Sequence, residues 1–381
     1  MNIALPFSYR VNRIAVSIFF FIAGLTFSTW ASRIPDVKNS LGLSDAGLGV
    51  VLFALPVGQM ISLPLSAWLI SRFSSRNVVI TAALLYPTTL ILLGYSTATW
   101  QLVIGLFLFG LWANLMNIAM NTQAVGVEKL YGRSIMASFH GLWSLAGFTG
   151  AVTGTFFISN GISPLVHFII IATASALMVF VAFKYALPTD EQDGSSGRLF
   201  TRPDKQILIL GLIAFCCMLC EGAMADWSGV YFEKVVNAPV SLVTVGYVAF
   251  TCTMATGRFV GDWLVTRFNV KRMLQTSGIM IAGGLMIAIL LPGFVTATVG
   301  FLLVGFGVSS VVPIVYGLAA KNGTMSTSAA LAAVSSISFL GFLIGPPVIG
   351  FISQLSGMQV AFSVIALMGF GTTLLASSIK Q

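Results

Sequence analysis

Residues 67–76 read AWLISRFSSR, and residues 262–272 read DWLVTRFNVKR. Trp68, Leu69, Arg72 and Phe73 recur as Trp263, Leu264, Arg267 and Phe268, each 195 positions later. Ile70 becomes Val265, and Ser71 becomes Thr266. An apolar run ends just before each copy and another begins just after it. Self-similarity at half the length of a chain means one structural unit used twice. Each unit carries a tight, basic connection at the same place.

The surrounding composition says what kind of unit this is. The chain is 57% hydrophobic and 8% charged, with a mean hydropathy of +0.96. A soluble protein carries about 25% charged residues, so no water-soluble surface can be built here and the chain is an integral membrane protein. A net charge of +8 would suggest nucleic acid in a soluble protein. In a membrane protein the positive-inside rule accounts for it, and no nucleic-acid partner is expected. Cys216, Cys217, Cys220 and Cys252 all lie in apolar runs, where they serve as small packing groups rather than a disulfide framework. The spacing of Cys217 and Cys220 suits a metal, but no histidine lies near them, and neither metal nor cofactor is expected. No phosphate-binding loop and no enzyme signature occurs. Arg10 and Arg13 precede an apolar run over 14–30, too long for a signal-peptide core, which reads as a retained first helix.

A membrane-crossing helix needs about 20 apolar residues. Twelve such runs follow one another, over 11–32, 46–71, 78–96, 102–125, 135–158, 164–185, 207–230, 242–265, 273–291, 298–319, 328–353 and 359–377. The longest polar stretch, LPTDEQDGSSGRLFTRPDKQ at 187–206, separates the sixth run from the seventh. The expectation is an all-α membrane protein of twelve transmembrane helices, with six-helix halves over 1–186 and 207–381 joined by a cytoplasmic linker at 187–206. With the N-terminus inside, sixteen of the nineteen Lys and Arg fall in inner loops, leaving Arg33, Lys38 and Lys234 outside. That asymmetry predicts both termini in the cytoplasm. The repeat extends further. Ser144, Gly147 and Phe148 match Ser338, Gly341 and Phe342; Gly105 and Gly110 match Gly300 and Gly305; Trp30 is answered by Trp227.

Two parallel six-helix halves are the arrangement of the major facilitator superfamily, and the chain resembles that family along nearly its whole length. The family's signature between helices two and three is roughly Gly-x-Leu-x-Asp-Arg-x-Gly-Arg-Arg. Leu69, Arg72 and Arg76 match it, while Ser71 and Ser74 stand at its Asp and Gly. Asp262, Arg267, Lys271 and Arg272 form a partial second copy. Ile34-Pro35-Asp36-Val37, the segment Gly305–Ser310 with Pro313, and Asn117, Asn121 and Glu128 are similar, more loosely, to the fucose/proton symporter branch. Those symporters carry an acidic residue where this chain has Ala31. The resemblance implies a cavity lined by helices one, four, seven and ten, with five, eight and eleven at the side.

Charged and amide groups inside a membrane face a cavity or one another. Asn114, Asn117, Asn121 and Glu128 fall within about 60° of one another on the fourth helix. The stripe is either a cavity lining that hydrogen-bonds a polar solute or interhelical glue, at about 0.6 kcal/mol per bond. Glu128, at the helix end beside Lys129, reads as structural. Glu221 lies roughly 20 Å into the seventh helix and is the candidate proton-coupling carboxyl, with a hydrogen-bonded structural carboxyl as its alternative. Asp226 is a second, more interfacial candidate, about 140° away around the helix. Arg33 and Asp36 close the first helix as a local ion pair or an outer gate. His140, beside Trp143, is a solute ligand, a proton relay or a buried structural histidine, whereas His167 reads as interfacial. Trp30, Trp143 and Tyr247 offer flat faces and hydrogen bonds to a solute. Arg258 and Asp262 are four apart and within reach of each other. With Arg72, Arg76 and Arg267 they form a candidate cytoplasmic gating layer in which Asp262 outweighs Ser71. Glycines at 147, 150 and 154, and at 341, 345 and 350, permit close helix contact. Pro56, Pro64, Pro87, Pro313 and the Pro346-Pro347 pair are expected to bend their helices.

The expected function is secondary transport of a small polar solute, such as a sugar or sugar derivative, by alternating access with protons as the coupling ion. The expected setting is the bilayer of a bacterial inner membrane, and the expected state is a monomer. Drug efflux is the rival within transport, although Gly147 lacks the following Pro of the antiporter branch. A ligand sensor without flux is the rival outside it.

Overall fold

The computed structural model describes residues 7–132, 135–188, 204–321 and 326–379. Along them run α1 (Phe7–Ser40), α2 (Asp45–Leu52), α3 (Ala54–Tyr95), α4 (Thr99–Tyr131), α5 (Met136–Ser159), α6 (Pro164–Ala182) and α7 (Lys205–Lys234). Then come α8 (Val245–Phe268), α9 (Val270–Leu290), α10 (Phe294–Ser309), α11 (Val311–Ala320), α12 (Thr327–Ser356) and α13 (Met358–Ser377). No strand occurs among the described residues. Lipid offers the backbone no hydrogen bonds, and a helix satisfies its own.

Among the described residues, eleven helical stretches are long and apolar enough to cross a membrane. One of them, Asp45–Tyr95, spans 51 residues, more than twice one crossing. It breaks at Ser74, which has φ 68° and ψ 154°. The segments on either side of Ser74 are each long enough to cross, which gives twelve passes. Asn269 parts α8 from α9 with φ 59° and ψ 158°. Ser74 and Asn269 are repeat mates, 195 apart. Both adopt a backbone region open almost solely to glycine, and Ser74 stands at the family signature's Gly. The opening stretch thus encodes the same strained reversal twice.

The basic residues after these reversals cap helices within their own sets. Arg76 Nη2 donates to the Phe183 carbonyl at 3.2 Å, at the end of α6. Its repeat mate Lys271 donates from Nζ to the Ser377 carbonyl at 2.7 Å, at the end of α13. Each cation satisfies a carbonyl left over at a helix C-terminus. Gln123 on α4 adds a clasp in the first set, donating to Ser75 Oγ at 2.7 Å and accepting from the Leu187 amide at 2.7 Å.

Glycine contacts repeat as well. A Cβ on Gly110 would collide with the Leu55 carbonyl, and one on Gly305 with the Phe250 carbonyl, at positions 195 apart in both members. Gly24, Gly150 and Gly154 bring α1 against α5, and Gly341 brings α12 against α7. Gly147 is different: nothing lies within 4 Å of a Cβ built there, so it takes no part in the α1–α5 contact expected of it.

The chain forms two compact units, one of residues 1–42 and 54–193, the other of 43–53 and 194–381. Residues 189–203 of the expected linker lie outside the described residues. The excursion of 43–53 into the second unit ends at Phe53, the break between α2 and α3. Pro56 explains that break, because it offers no N–H to the Leu52 carbonyl four residues earlier. Pro313 does the same to Ser309, where α10 gives way to α11. Pro64 and Pro87 lie inside α3, and Pro346 and Pro347 inside α12, without interrupting either helix.

Ser74→Gly is expected to stabilise the protein by about 1 kcal/mol, by relieving a glycine-type conformation, while Ser74→Val destabilises it. Thermal unfolding in detergent measures both, and a lower midpoint for Ser74→Gly would refute the strain.

Candidate functional site

In the first unit the amide stripe divides. Asn114 Nδ2 donates to the Gln59 carbonyl at 3.0 Å and to Ser62 Oγ at 2.7 Å, which ties α4 to α3. Asn121 Nδ2 donates to the Asn117 carbonyl at 2.8 Å and to its Oδ1 at 3.1 Å, and Asn117 is exposed. Asn114 is therefore interhelical glue, and the Asn117–Asn121 pair is the accessible polar surface. Glu128 Oε2 accepts from the Ile135 and Met136 amides at 2.7 and 2.8 Å. It caps α5, whose own N-cap residue, Ile135, supplies no side-chain bond.

His140 is exposed, and its ring meets Phe20 edge-on at 5.3 Å. Trp143 is half-buried, and its carbonyl faces Gly24. Trp30 is 1% exposed beside Phe109, and Tyr247 in the second unit is 4% exposed beside Phe250. Both rings pack in their own unit's core, out of a solute's reach in this structure, because they are flanked by large aromatics.

Arg33 is buried and bonded through each of its three nitrogens. Its Nη1 pairs with Asp36 Oδ2 at 2.8 Å, its Nη2 donates to the Ile162 carbonyl at 2.7 Å, and its Nε donates to His167 Nδ1 at 3.1 Å. His167, expected at the interface, is instead fully buried and stacked on Phe157 at 4.4 Å. An arginine taken out of water needs an acceptor for every donor, and the imidazole supplies one. The Nε–H donation fixes His167 as the tautomer protonated on Nε2, and Nε2 is buried with no partner among the described residues.

In the second unit Glu221 is not alone. Arg258 Nη2 lies 3.5 Å from Glu221 Oε1, with the two side chains 21% and 16% exposed. Residues flanking the pair pack on the break in the tenth pass. Gly257, the residue before Arg258, faces Ser309, and Gly261 faces Ser310. Cys217, one turn before Glu221, donates from Sγ to the Val308 carbonyl at 3.7 Å. Asp262 lies on α8, but its side chain falls outside the described residues, and so does its expected pairing with Arg258. Asp226 is half-buried on α7. Arg72 and Arg267 are exposed, and Arg267 stacks on Trp263 at 5.7 Å.

One group of residues was not anticipated. Asp45, at the start of α2, accepts from Lys234 Nζ at 2.7 Å and from Ser353 Oγ at 2.7 Å, while its amide donates to Gln354 Oε1 at 3.2 Å. Gly49 and Gly350 let α2 approach α12 at backbone distance. The clue in the sequence was an acid opening the second apolar run and a lone lysine closing the seventh. Nothing local says that residues 189 positions apart meet.

Comparisons with known proteins agree with this architecture. The Major Facilitator Superfamily profile matches residues 16–329. An uncharacterised MFS-type transporter of Yersinia pestis is 34% identical over 94% of this chain and 93% of its own length. Among solved structures, the nucleoside transporter NupG superposes with a TM-score of 0.78 at 14% identity, covering 97% of this chain and 100% of that one. The transporter FucP, in an outward conformation, superposes with a TM-score of 0.66 at 17% identity, covering 98% and 100%. Twelve apolar passes, two repeat-related sets of helices and a family match spanning most of its length place this chain in the Major Facilitator Superfamily, as a membrane transporter and not an enzyme.

Proposed function

We propose that the chain is a secondary active transporter that moves a small polar solute, a sugar or sugar derivative such as a nucleoside, by alternating access coupled to protons. We place both termini in the cytoplasm of a bacterial cell, on the strength of the Lys and Arg distribution. The observation that carries the proposal is the broken tenth pass, packed on by the residues that flank the Glu221–Arg258 pair. Discontinuous helices mark solute and ion sites in transporters of this build, because freed backbone groups and nearby charges bind what the lipid cannot. The repeat offers a counterpart: Asn114, Asn117 and Asn121 on α4 correspond to Ser309, Val312 and Tyr316 on α10 and α11. Asn117 and Asn121 offer hydrogen bonds suited to hydroxyl groups.

Glu221 acts as the coupling carboxyl through its partner. A proton on Glu221 cancels the attraction that holds Arg258, and Arg258 then turns to the solute or to the α10–α11 break. Deprotonation restores the pair. Asp226 is a second proton site on the same helix. The excursion of α2 into the second unit serves as a latch on the outer side. Asp45 and Lys234 hold α2 to α7, Ser353 holds it to α12, and the break at Phe53 lets α2 swing as the solute path opens.

Glu221→Gln is expected to abolish solute accumulation driven by a pH gradient in proteoliposomes while leaving solute counterflow intact. Unchanged accumulation would remove Glu221 from the mechanism. For the latch, a thermal double-mutant cycle of Asp45→Asn with Lys234→Met is expected to show coupling of about 1 kcal/mol. Additive effects would mean that the pair does no holding.

A further inference from the structure

A groove of about 370 Å³ opens in the second unit between α8, α9 and α10. Leu264 and Phe268 on α8, Ile279 and Met280 on α9, and Phe306 on α10 give it apolar walls. Arg272, Gln275 and Thr276 line its other end, on the first turns of α9. From Arg272 to Met280 the helix rises about 12 Å. Arg272 thus stands at the loop end beside Phe268, while Ile279, Met280 and Phe306 lie deeper with Ser277 and Ser310.

The neighbouring cations are already engaged. Lys271 donates to the Ser377 carbonyl, and Arg267 lies over the Trp263 ring. Among the described residues nothing pairs with the Arg272 guanidinium; its backbone amide donates to Asn269. The repeat serves as an internal control. The first-half mates of Arg272, Gln275, Ser277 and Ser310 are Asn77, Ile80, Ala82 and Leu115. The cation beneath the reversal thus belongs to the second half alone, since Asn77 stands at its mate, while Thr276 is matched by Thr81 and Gln275 donates to Ser377 Oγ at 3.2 Å.

We propose that this groove binds one anionic phospholipid, with its phosphate on Arg272 and Thr276 and an acyl chain along Phe306 and Met280. Charge complementarity selects the occupant, since a guanidinium binds a phosphate well, and basic pockets between helices at the cytoplasmic face hold anionic headgroups. The proposal rests on the placement of the 8–9 connection at the cytoplasmic leaflet. It is independent of solute identity and of coupling.

The test is binding of phosphatidylglycerol to the detergent-purified full chain by native mass spectrometry, with phosphatidylcholine as the zwitterionic comparison. Wild type is expected to retain one phosphatidylglycerol in preference to phosphatidylcholine. Arg272→Gln is expected to weaken that binding about fivefold, the worth of one cation near an anionic headgroup. Thr276→Trp, which fills the groove from an exposed position, is expected to abolish it with the thermal midpoint in phosphatidylcholine unchanged. Arg72→Gln, at an exposed cation in the other unit, is expected to bind as wild type does. Equal loss in Arg72→Gln and Arg272→Gln, or undiminished binding in both groove variants, would overturn the proposal. A detergent-resistant lipid that is phosphatidylcholine would overturn it too.

Discussion

A proline cannot donate to the carbonyl four residues before it, and inside a membrane no water takes its place. This constraint acts at Pro56 and Pro313, where α2 parts from α3 and α10 from α11. Pro64, Pro87, Pro346 and Pro347 carry the same deficit without a break at their own positions. The difference lies in what the flanking segments pack against. α2 lies on α12 while α3 lies on α4; α10 lies on α8 and α9 while α11 lies on α7 and α12. Proline makes the break permissible, and divergent packing on its two sides makes it happen.

The two breaks differ in their surroundings: Asp45 stands at the far end of α2 from Phe53, whereas the residues flanking the Glu221–Arg258 pair pack on the break in the tenth pass. α2 carries Asp45 to Lys234 and Ser353. The tenth pass breaks where Gly257 and Gly261 bring α8 close, with Arg258 between them and Glu221 opposite. The Arg258–Glu221 side chains are 21% and 16% exposed, whereas Lys234 is 43% exposed, so the Asp45–Lys234 pair is the more screened by its surroundings. On the proposed mechanism each pair is held in one state and released in another, one at the helix lent to the second unit and one at the interrupted helix.

Much of the fold was legible because the repeat period and the apolar runs are properties of the chain alone. The 195-residue shift that aligns Trp68 with Trp263 also aligns the reversals at Ser74 and Asn269, the caps from Arg76 and Lys271, and the close contacts at Gly110 and Gly305. The candidate site was legible only in part. Helical spacing put three asparagines on one face, but it could not tell Asn114, bonded to Ser62, from Asn117, which is exposed. Arg258 pairs across helices with Glu221, a contact its own helix gives no sign of. Asp45 and His167 find partners 189 and 134 residues away in the chain. Such pairings depend on tertiary packing, which leaves no local period.

The proposed latch requires α2 to swing off α12 as the solute path opens. It is tested by joining the two with a disulfide, Asp45→Cys with Ser353→Cys, in protein whose Cys216, Cys217, Cys220 and Cys252 are replaced. A solute found by its thermal stabilisation of the protein serves as cargo in proteoliposomes. Flux is expected to stop on oxidation and return on reduction. Undiminished flux through the cross-linked protein would contradict the latch and the alternating-access account built on it.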